Sequence, residues 1–340
     1  VESRKQAIRA LKFNTGMALV IWTGWLFFGG TLARHSLVSN WPVAATMVFG
    51  SLVGGGTSEG GGAVAFPVFT KLLHIPPHDA LLFSLAIQSI GMGAASLSIL
   101  YLRIPIERRV LPWAGIAGIA GMTSSTYLIV PYVPAALFKV AFTVMVSSLA
   151  VALLVLNHKE TGFRNERLPV FGGREKALVA FAGLLGGTMS GLVGCGENIA
   201  TFMLLVLLFR LSEKVVTPTT VILMTIVTLA GFALHVLVVR DFAPRVQGYW
   251  LAAVPIVAVG APLGAFLCSR MTRKTIANIL VLLISLEFVS TLLLVPMSRA
   301  VAITAGVTLL VFGILNWQMS RVKFYSPAHR DEPESAKAGV

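Results

Sequence analysis

Three carboxyl groups, Glu59, Glu197 and Glu287, lie deep inside long apolar stretches of this chain. An ionisable group at membrane depth is expensive and marks a path for ions or substrate by default. Two of the three sit beside a glycine cluster that interrupts its stretch. The first reads Gly50-Ser-Leu-Val-Gly-Gly-Gly-Thr-Ser-Glu59-Gly-Gly-Gly-Ala63, the second Ser190-Gly-Leu-Val-Gly-Cys-Gly-Glu197-Asn-Ile-Ala200. Glycine weakens a helix interior by roughly 1 kcal/mol relative to alanine, so such clusters break the helix. Broken backbone at membrane depth survives only when it is buried in protein or lines a polar cavity. Breaks at corresponding places in two halves of a chain point to a carrier's binding site.

The chemistry such a break offers is anion binding. The start of a half-helix presents unpaired N–H groups and a partial positive charge, here near Gly60-Gly-Gly62 and Asn198-Ile-Ala200. Glycine also lets a ligand approach the backbone closely. The expected contacts are Gly54, Gly55, Gly56, Thr57, Ser58, Gly60 and Gly61 from the first break and Gly194, Cys195, Gly196 and Asn198 from the second, with one oxyanion held between them. The competing reading is that the glycines only let half-helices cross closely. Glu59 and Glu197 would repel an anion unless protonated when it binds, and burial disfavours the charged form. They are therefore proton-coupling candidates. Two other roles stay open for them, capping their own half-helices or holding a coupled cation together with free carbonyls. No cofactor and no metal is expected, because Cys195 and Cys268 have no ligand spacing.

These residues need elements to hold them in a bilayer. Of 340 residues, 56% are hydrophobic and 12% charged, with mean hydropathy +0.83. Soluble proteins carry about 25% charged residues, so this is a polytopic, all-α membrane protein. The net charge of +13 sits in short loops and tails between apolar runs. That is positive-inside topology rather than a nucleic-acid surface.

Spans are expected at 15–33, 79–101, 110–130, 134–156, 215–238, 249–268, 276–296 and 300–319. The segments 41–74 and 177–210 read instead as re-entrant pairs of half-helices, each too short to span, meeting near the midplane. With them the clusters at 103–109, 159–176, 270–274 and 321–323 fall on the basic N-terminal side. A multi-pass protein of the cell inner (plasma) membrane with both termini cytoplasmic follows. The basic start and Thr31-Leu-Ala33 also resemble a cleavable signal peptide; residues 15–33 are kept as a span.

The two breaks belong to a longer duplication. Gly54 pairs with Gly194, Glu59 with Glu197, Ser84 with Thr220, Gly121 with Gly260 and Lys139 with Asn278, at separations of 136–140 residues. Three spans follow each break, an odd number, so the repeats are inverted. The expected fold is two inverted repeats, each a glycine-broken re-entrant hairpin plus three transmembrane helices, with an extra helix at each end. Its parts are 1–40 (basic N-terminus and first helix), 41–157 (repeat 1), 158–174 (basic cytoplasmic loop), 175–297 (repeat 2), 298–320 (last helix) and 321–340 (polar tail). The runs Gly115-Ile-Ala-Gly118-Ile-Ala-Gly121 and Gly260-Ala-Pro-Leu-Gly264 read as close packing through small residues.

Leu52-Val-Gly-Gly-Gly56, Ala63-Val-Ala-Phe-Pro67 and Ile75-Pro-Pro-His-Asp-Ala80 resemble the first signature of the TauE/SafE sulfite-exporter-like family. Gly191-Leu-Val-Gly-Cys-Gly196, Leu211-Ser-Glu-Lys-Val-Val216 and Pro218-Thr-Thr220 are similar to its second. The resemblance covers roughly residues 41–297. It departs where Thr57-Ser-Glu59 interrupts the first glycine run, and where the family's Gly-Thr-Ser reads Leu82-Phe-Ser84 and Pro218-Thr-Thr220. Ser84 and Thr220 join the expected substrate contacts. The resemblance implies a secondary transporter of a small sulfur-containing anion, sulfite or an organosulfonate. Its partners are that anion and the lipid bilayer, with a homodimer left open. Export is downhill for an anion leaving a negative interior, by about 2.3 kcal/mol per charge per 100 mV. Coupled uptake and a passive channel are the alternatives.

Gly56-Thr-Ser58-Glu-Gly60 also matches the Gly-x-Ser-x-Gly hydrolase pattern, with only His74, His78 and His235 to serve it. That motif works on a strand-to-helix turn, not in a membrane hairpin, so the chain is not read as an enzyme. Lys139, early in its span, is expected to snorkel to the interface. Glu287 is expected to pair with an unidentified buried group, and His235 to be structural.

Overall fold

The computed structural model describes residues 2–57, 68–159, 164–322 and 325. Among them the chain is helical, with one isolated bridge between Asn165 and Leu211. The helices are α1 (Glu2–Ser39), α2 (Trp41–Gly56), α3 (Pro77–Tyr101), α4 (Leu111–Leu128), α5 (Ala135–Lys159) and α6 (Gly173–Val193). They continue as α7 (Glu197–Met203, extended by a π turn over Leu204–Leu208), α8 (Glu213–Ala233, with a π turn over Leu234–Val239), α9 (Pro244–Arg270), α10 (Arg273–Leu294) and α11 (Arg299–Arg321). Eight of them, α1, α3, α5, α6, α8, α9, α10 and α11, are long and apolar enough to cross a bilayer. The protein is an all-α, multi-pass membrane protein.

This set of eight differs from the expected one at two places. The expected span 110–130 is α4, whose 18 residues include Gly115, Gly118 and Gly121 and the run Thr123-Ser-Ser-Thr126, so it is less apolar. The 177–193 piece, expected to be half a span, is α6. Its 21 residues rise about 30 Å, the thickness of the hydrocarbon core. The helix α1 bends at Gly30, whose φ of 50° lies in the left-handed region that glycine enters without strain.

Depth of burial ranks the helices. The most apolar window of α3 is 78% buried, against 11% for α1 and α11. The outer two therefore face lipid and α3 is the most enclosed span, with α8, buried over most of Glu213–Thr228, packed on it. These two run antiparallel, with Gly231 against Leu85, and Gly93 and Ser96 against Thr225.

Glycines set the tightest crossings. Along α4 and α6, Gly183 meets Ala114, Gly187 meets Gly118 and Gly191 meets Ser125, stepping forward together, so the pair is parallel. A Cβ on Gly183 or Gly187 would lie 2.6 Å from the facing Cα. In the other half, Ser51 meets Gly260 and Gly56 meets Gly264 along α2 and α9. Helix α1 runs against α9, with Trp22 and Trp25 donating to the Pro255 and Leu251 carbonyls, and α2 reverses at Asn40 to run with it. Helix α3 also runs with α9, through Ala86 to Trp250 and Gly91 to Val257. Helix α8 runs with α4, through Gly115 to Leu223 and Gly118 to Val227. So α6 and α8, consecutive long helices, point the same way, and α7 doubles back between them.

The connectors are tied down. Between α3 and α4, buried Glu107 accepts from Arg109 Nε and Nη2, both at 2.8 Å, and from the Leu168 amide at 2.8 Å. Burial pushes its carboxyl up, but Arg109 and that amide outweigh burial and hold it below the usual range. Tyr325 is buried against Phe209, with ring centroids 4.9 Å apart, and donates to Glu175 Oε1 at 2.8 Å. Burial and the Glu175 carboxylate push its phenol up to about 12.

Lys139 does not snorkel. It is 6% exposed and its Nζ lies 3.0 Å from Glu287 Oε1, so each supplies the partner that sequence reading left unassigned. Thr143 Oγ1 adds a hydrogen bond to the same oxygen at 3.3 Å.

Candidate functional site

The second break forms because two glycines take conformations that L side chains avoid. Gly194 has φ 81° and Gly196 φ 146°. Gly194 ends α6 as its amide donates to the Ser190 carbonyl. A Cβ there would stand 2.7 Å from the Ser84 Cβ of α3. That closeness is used: the Gly194 carbonyl accepts from Ser84 Oγ at 3.0 Å and from Gln88 Nε2 at 2.7 Å. Ser84 was among the expected site residues. Gln88 was not, although an amide four residues further along an apolar helix lies on the same face. Gln88 Oε1 is buried and accepts no hydrogen bond.

Glu197 begins α7 and is fully buried. Its Oε1 accepts from Thr201 Oγ1 at 3.1 Å. Its Oε2 accepts no hydrogen bond of ordinary geometry. The carboxyl fits because two facing residues lack a Cβ: one built on Gly118 would lie 2.8 Å from Oε2, and one on Gly186 2.9 Å. Gly118, read as a packing residue, therefore also makes room for the acid, together with Gly186. Since Gly118 lies beside Val227, between the α8 residues that meet Ser96 and Leu85, the carboxyl sits near the middle of α3.

The donors expected for an anion are partly consumed. The Glu197 amide donates to Ser190 Oγ at 3.0 Å, and the Ile199 amide to Asn198 Oδ1 at 3.1 Å. Asn198 thus points an acceptor at its own helix. Cys195 is buried in the break and forms no disulfide.

At the first break, Gly54, Gly55 and Gly56 end α2, and Gly55 and Gly56 lie on the backbone of Ala261 and Gly264. Thr57 caps the end, its Oγ1 donating to the Val53 carbonyl at 2.9 Å. Ser58, Glu59, Gly60 and Gly61 lie outside the described residues. Thr220 is buried and donates to the Thr217 carbonyl of its own helix at 2.9 Å. Gly55, Thr217, Lys214 and Cys268 line a cavity of about 10 Å³, room for a single water.

The described residues of the two breaks meet α3 at different levels. Gly194 is held by Ser84, whereas Gly55 lies on Ala261, whose side chain faces Gly91. Seven residues of α3 separate those levels, about 10 Å of helical rise. Beside the second break a larger cavity of about 220 Å³ is lined by His78, Leu81, Val133, Phe138, Leu192 and Val193. At its rim His78 Nε2 lies 3.2 Å from Asp241, which also holds buried His235 at 3.0 Å. No cluster of three or more metal-ligating side chains occurs among the described residues.

A bundle of membrane-crossing helices, one of them doubled back on a glycine break with a buried acid at its tip, defines a multi-pass membrane protein. The sulfite exporter TauE/SafE family profile matches residues 43–291. The chain belongs to that family, as the paired glycine signatures implied. No curated protein and no solved structure matches it.

Proposed function

We propose that this protein is a secondary carrier that exports a small sulfur-containing oxyanion, sulfite or an organosulfonate, across the cell inner membrane with both termini cytoplasmic. The family supplies the transport of sulfur anions. The observation that carries the mechanism is Glu197, fully buried at the tip of the α6–α7 turn with one carboxyl oxygen unbonded. An uncompensated charge there is too costly to keep, and a proton completes the group. Glu197, with Glu59 as its repeat counterpart, is the proton carrier of this reading. Substrate reaches the second break through the 220 Å³ cavity beside Leu192 and Val193.

Two inverted repeats that rock against each other support alternating access in this scheme. The packing favours it: α2 on α9 in one half answers α6 on α4 in the other, and α3 on α9 answers α8 on α4. A two-fold exchange of the halves generates each from its counterpart.

The test is flux of sulfite, a short sulfonate and sulfate in liposomes, first under a membrane potential and then under a proton gradient. Sulfite or sulfonate flux that needs the proton gradient supports coupling through Glu197. Flux that follows potential alone removes the acid from the mechanism and leaves a uniport exporter. Linear, unsaturable flux points to a channel, and none of the three ions moving sinks the substrate assignment.

A further inference from the structure

A cavity of about 600 Å³ shares no lining residue with either break. It lies between α5, α10 and α11 and is within the size range of small-molecule sites. Its wall is dry. The hydroxyls that line it, Thr143, Ser147, Ser148, Ser285 and Thr291, are already engaged. Ser147 and Ser285 donate to carbonyls one turn back, and Ser148 donates to the Met145 carbonyl. Thr143 and Thr291 meet at 3.1 Å. An oxyanion entering here would find no donor to replace its water, so the cavity does not belong to the transport path.

All three walls are membrane-crossing helices. Lining residues Val151, Leu292 and Leu309 are more than half exposed, so the cavity opens sideways into lipid. The α5 wall, Val140 to Leu154, rises about 21 Å, somewhat more than one leaflet's share of the hydrocarbon core, about 15 Å. One end reaches Val295, Met297 and Val301, where the chain turns into α11 and exposed Arg299 stands at the helix N-terminus. A cation and a positive helix end at the mouth of a long apolar slot complement a phosphodiester above an acyl chain.

We infer that this cavity binds one acyl chain of a membrane phospholipid, with its phosphate at Arg299. The probe is a phospholipid carrying a diazirine in its acyl chain, present at low mole fraction in phosphatidylglycerol–phosphatidylcholine vesicles holding the full-length protein. Adducts are mapped by peptide mass spectrometry after irradiation. They should concentrate on peptides from α5, α10 and α11 over lipid-facing α1, where Phe27 and Phe28 are strongly exposed. Gly306→Phe fills the slot, since a Cβ at Gly306 meets nothing within 4 Å. It should cut that labelling roughly tenfold, as loss of about two buried methylenes would. Val151→Phe, from the facing wall, should do the same. Even labelling of all lipid-facing helices, unchanged in both variants, means ordinary boundary lipid and overturns the inference. A change of oligomeric state in Gly306→Phe without enriched labelling assigns the face to a second copy and also overturns it.

Discussion

Replacing Lys139 by methionine should cost far more than its conservative volume suggests. The substitution keeps a long apolar stem and removes only the ammonium, 3.0 Å from Glu287 Oε1. Glu287 is 2% exposed, and its Oε2 already accepts no hydrogen bond. After the change, Thr143 Oγ1 remains at 3.3 Å, a neutral donor against a full negative charge. Breaking a buried pair from one side costs about 3–5 kcal/mol, whereas replacing both partners by apolar groups is often neutral or stabilising. Lys139→Met should therefore lose about 3–5 kcal/mol, and Lys139→Met/Glu287→Met should recover most of it, within about 1 kcal/mol of the parent. The assay is reversible unfolding in mixed micelles of rising denaturing-detergent fraction, read as a double-mutant cycle. A single-variant loss below about 1 kcal/mol, the level of an exposed pair, would refute the reasoning. The ammonium would then be reaching water along the helix, as its sequence position alone suggested.

Three further outcomes are expected. Glu197→Gln keeps the shape and the Thr201 contact but cannot give up a proton, so anion flux should lose its pH dependence while the protein stays folded; unchanged pH dependence removes Glu197 from coupling. Gly187→Ala drives a methyl onto the Gly118 carbonyl and should lose about 1–3 kcal/mol by overpacking, whereas Gly306→Ala, with open space around its Cβ, should be neutral or slightly stabilised; equal melting temperatures for the two would contradict the crossing. Glu107, whose folded carboxyl titrates below its ordinary value of 4.5, contributes stability that is complete above about pH 4.5 and is lost as pH falls through the lower folded value; Glu107→Gln should flatten that acid limb in a thermal scan from pH 3 to 7.

Hydropathy made most of the architecture legible. Long apolar runs became crossing helices, and the Gly194–Gly196 break stands where the glycines put it. The failures share one cause. Composition does not say which helices touch. Helix α4 reads as a full span by length, yet its glycines and hydroxyls adapt it to neighbours rather than lipid. Helix α6 reads as half a span because the break cuts its apolar run short, yet it starts at Gly173 and runs 21 residues, with Gly183, Gly187 and Gly191 turned to α4. Lys139 and Glu287 stand 148 residues apart, and the repeat register pairs Lys139 with Asn278, so nothing local joins them. Gln88 escaped because its role depends on a carbonyl 106 residues away. The amides at the start of α7 looked available until Ser190 and Asn198 were seen to use them.

The backbone-to-backbone crossings also divide the molecule mechanically. Where Gly187 lies on Gly118 and Gly55 on Ala261, no side chain stands between the helices to change rotamer and absorb a displacement. Each crossing then behaves as a weld, and α4 with α6, like α2 with α9, moves as a single beam. The α3–α8 contact is of another kind, with one hydroxyl pair, Ser96 and Thr225 at 2.8 Å, among apolar side chains that can slide. Strain applied to either beam is thus delivered to that seam, and Glu197, clamped in the α4–α6 weld, would travel with its beam instead of swinging alone.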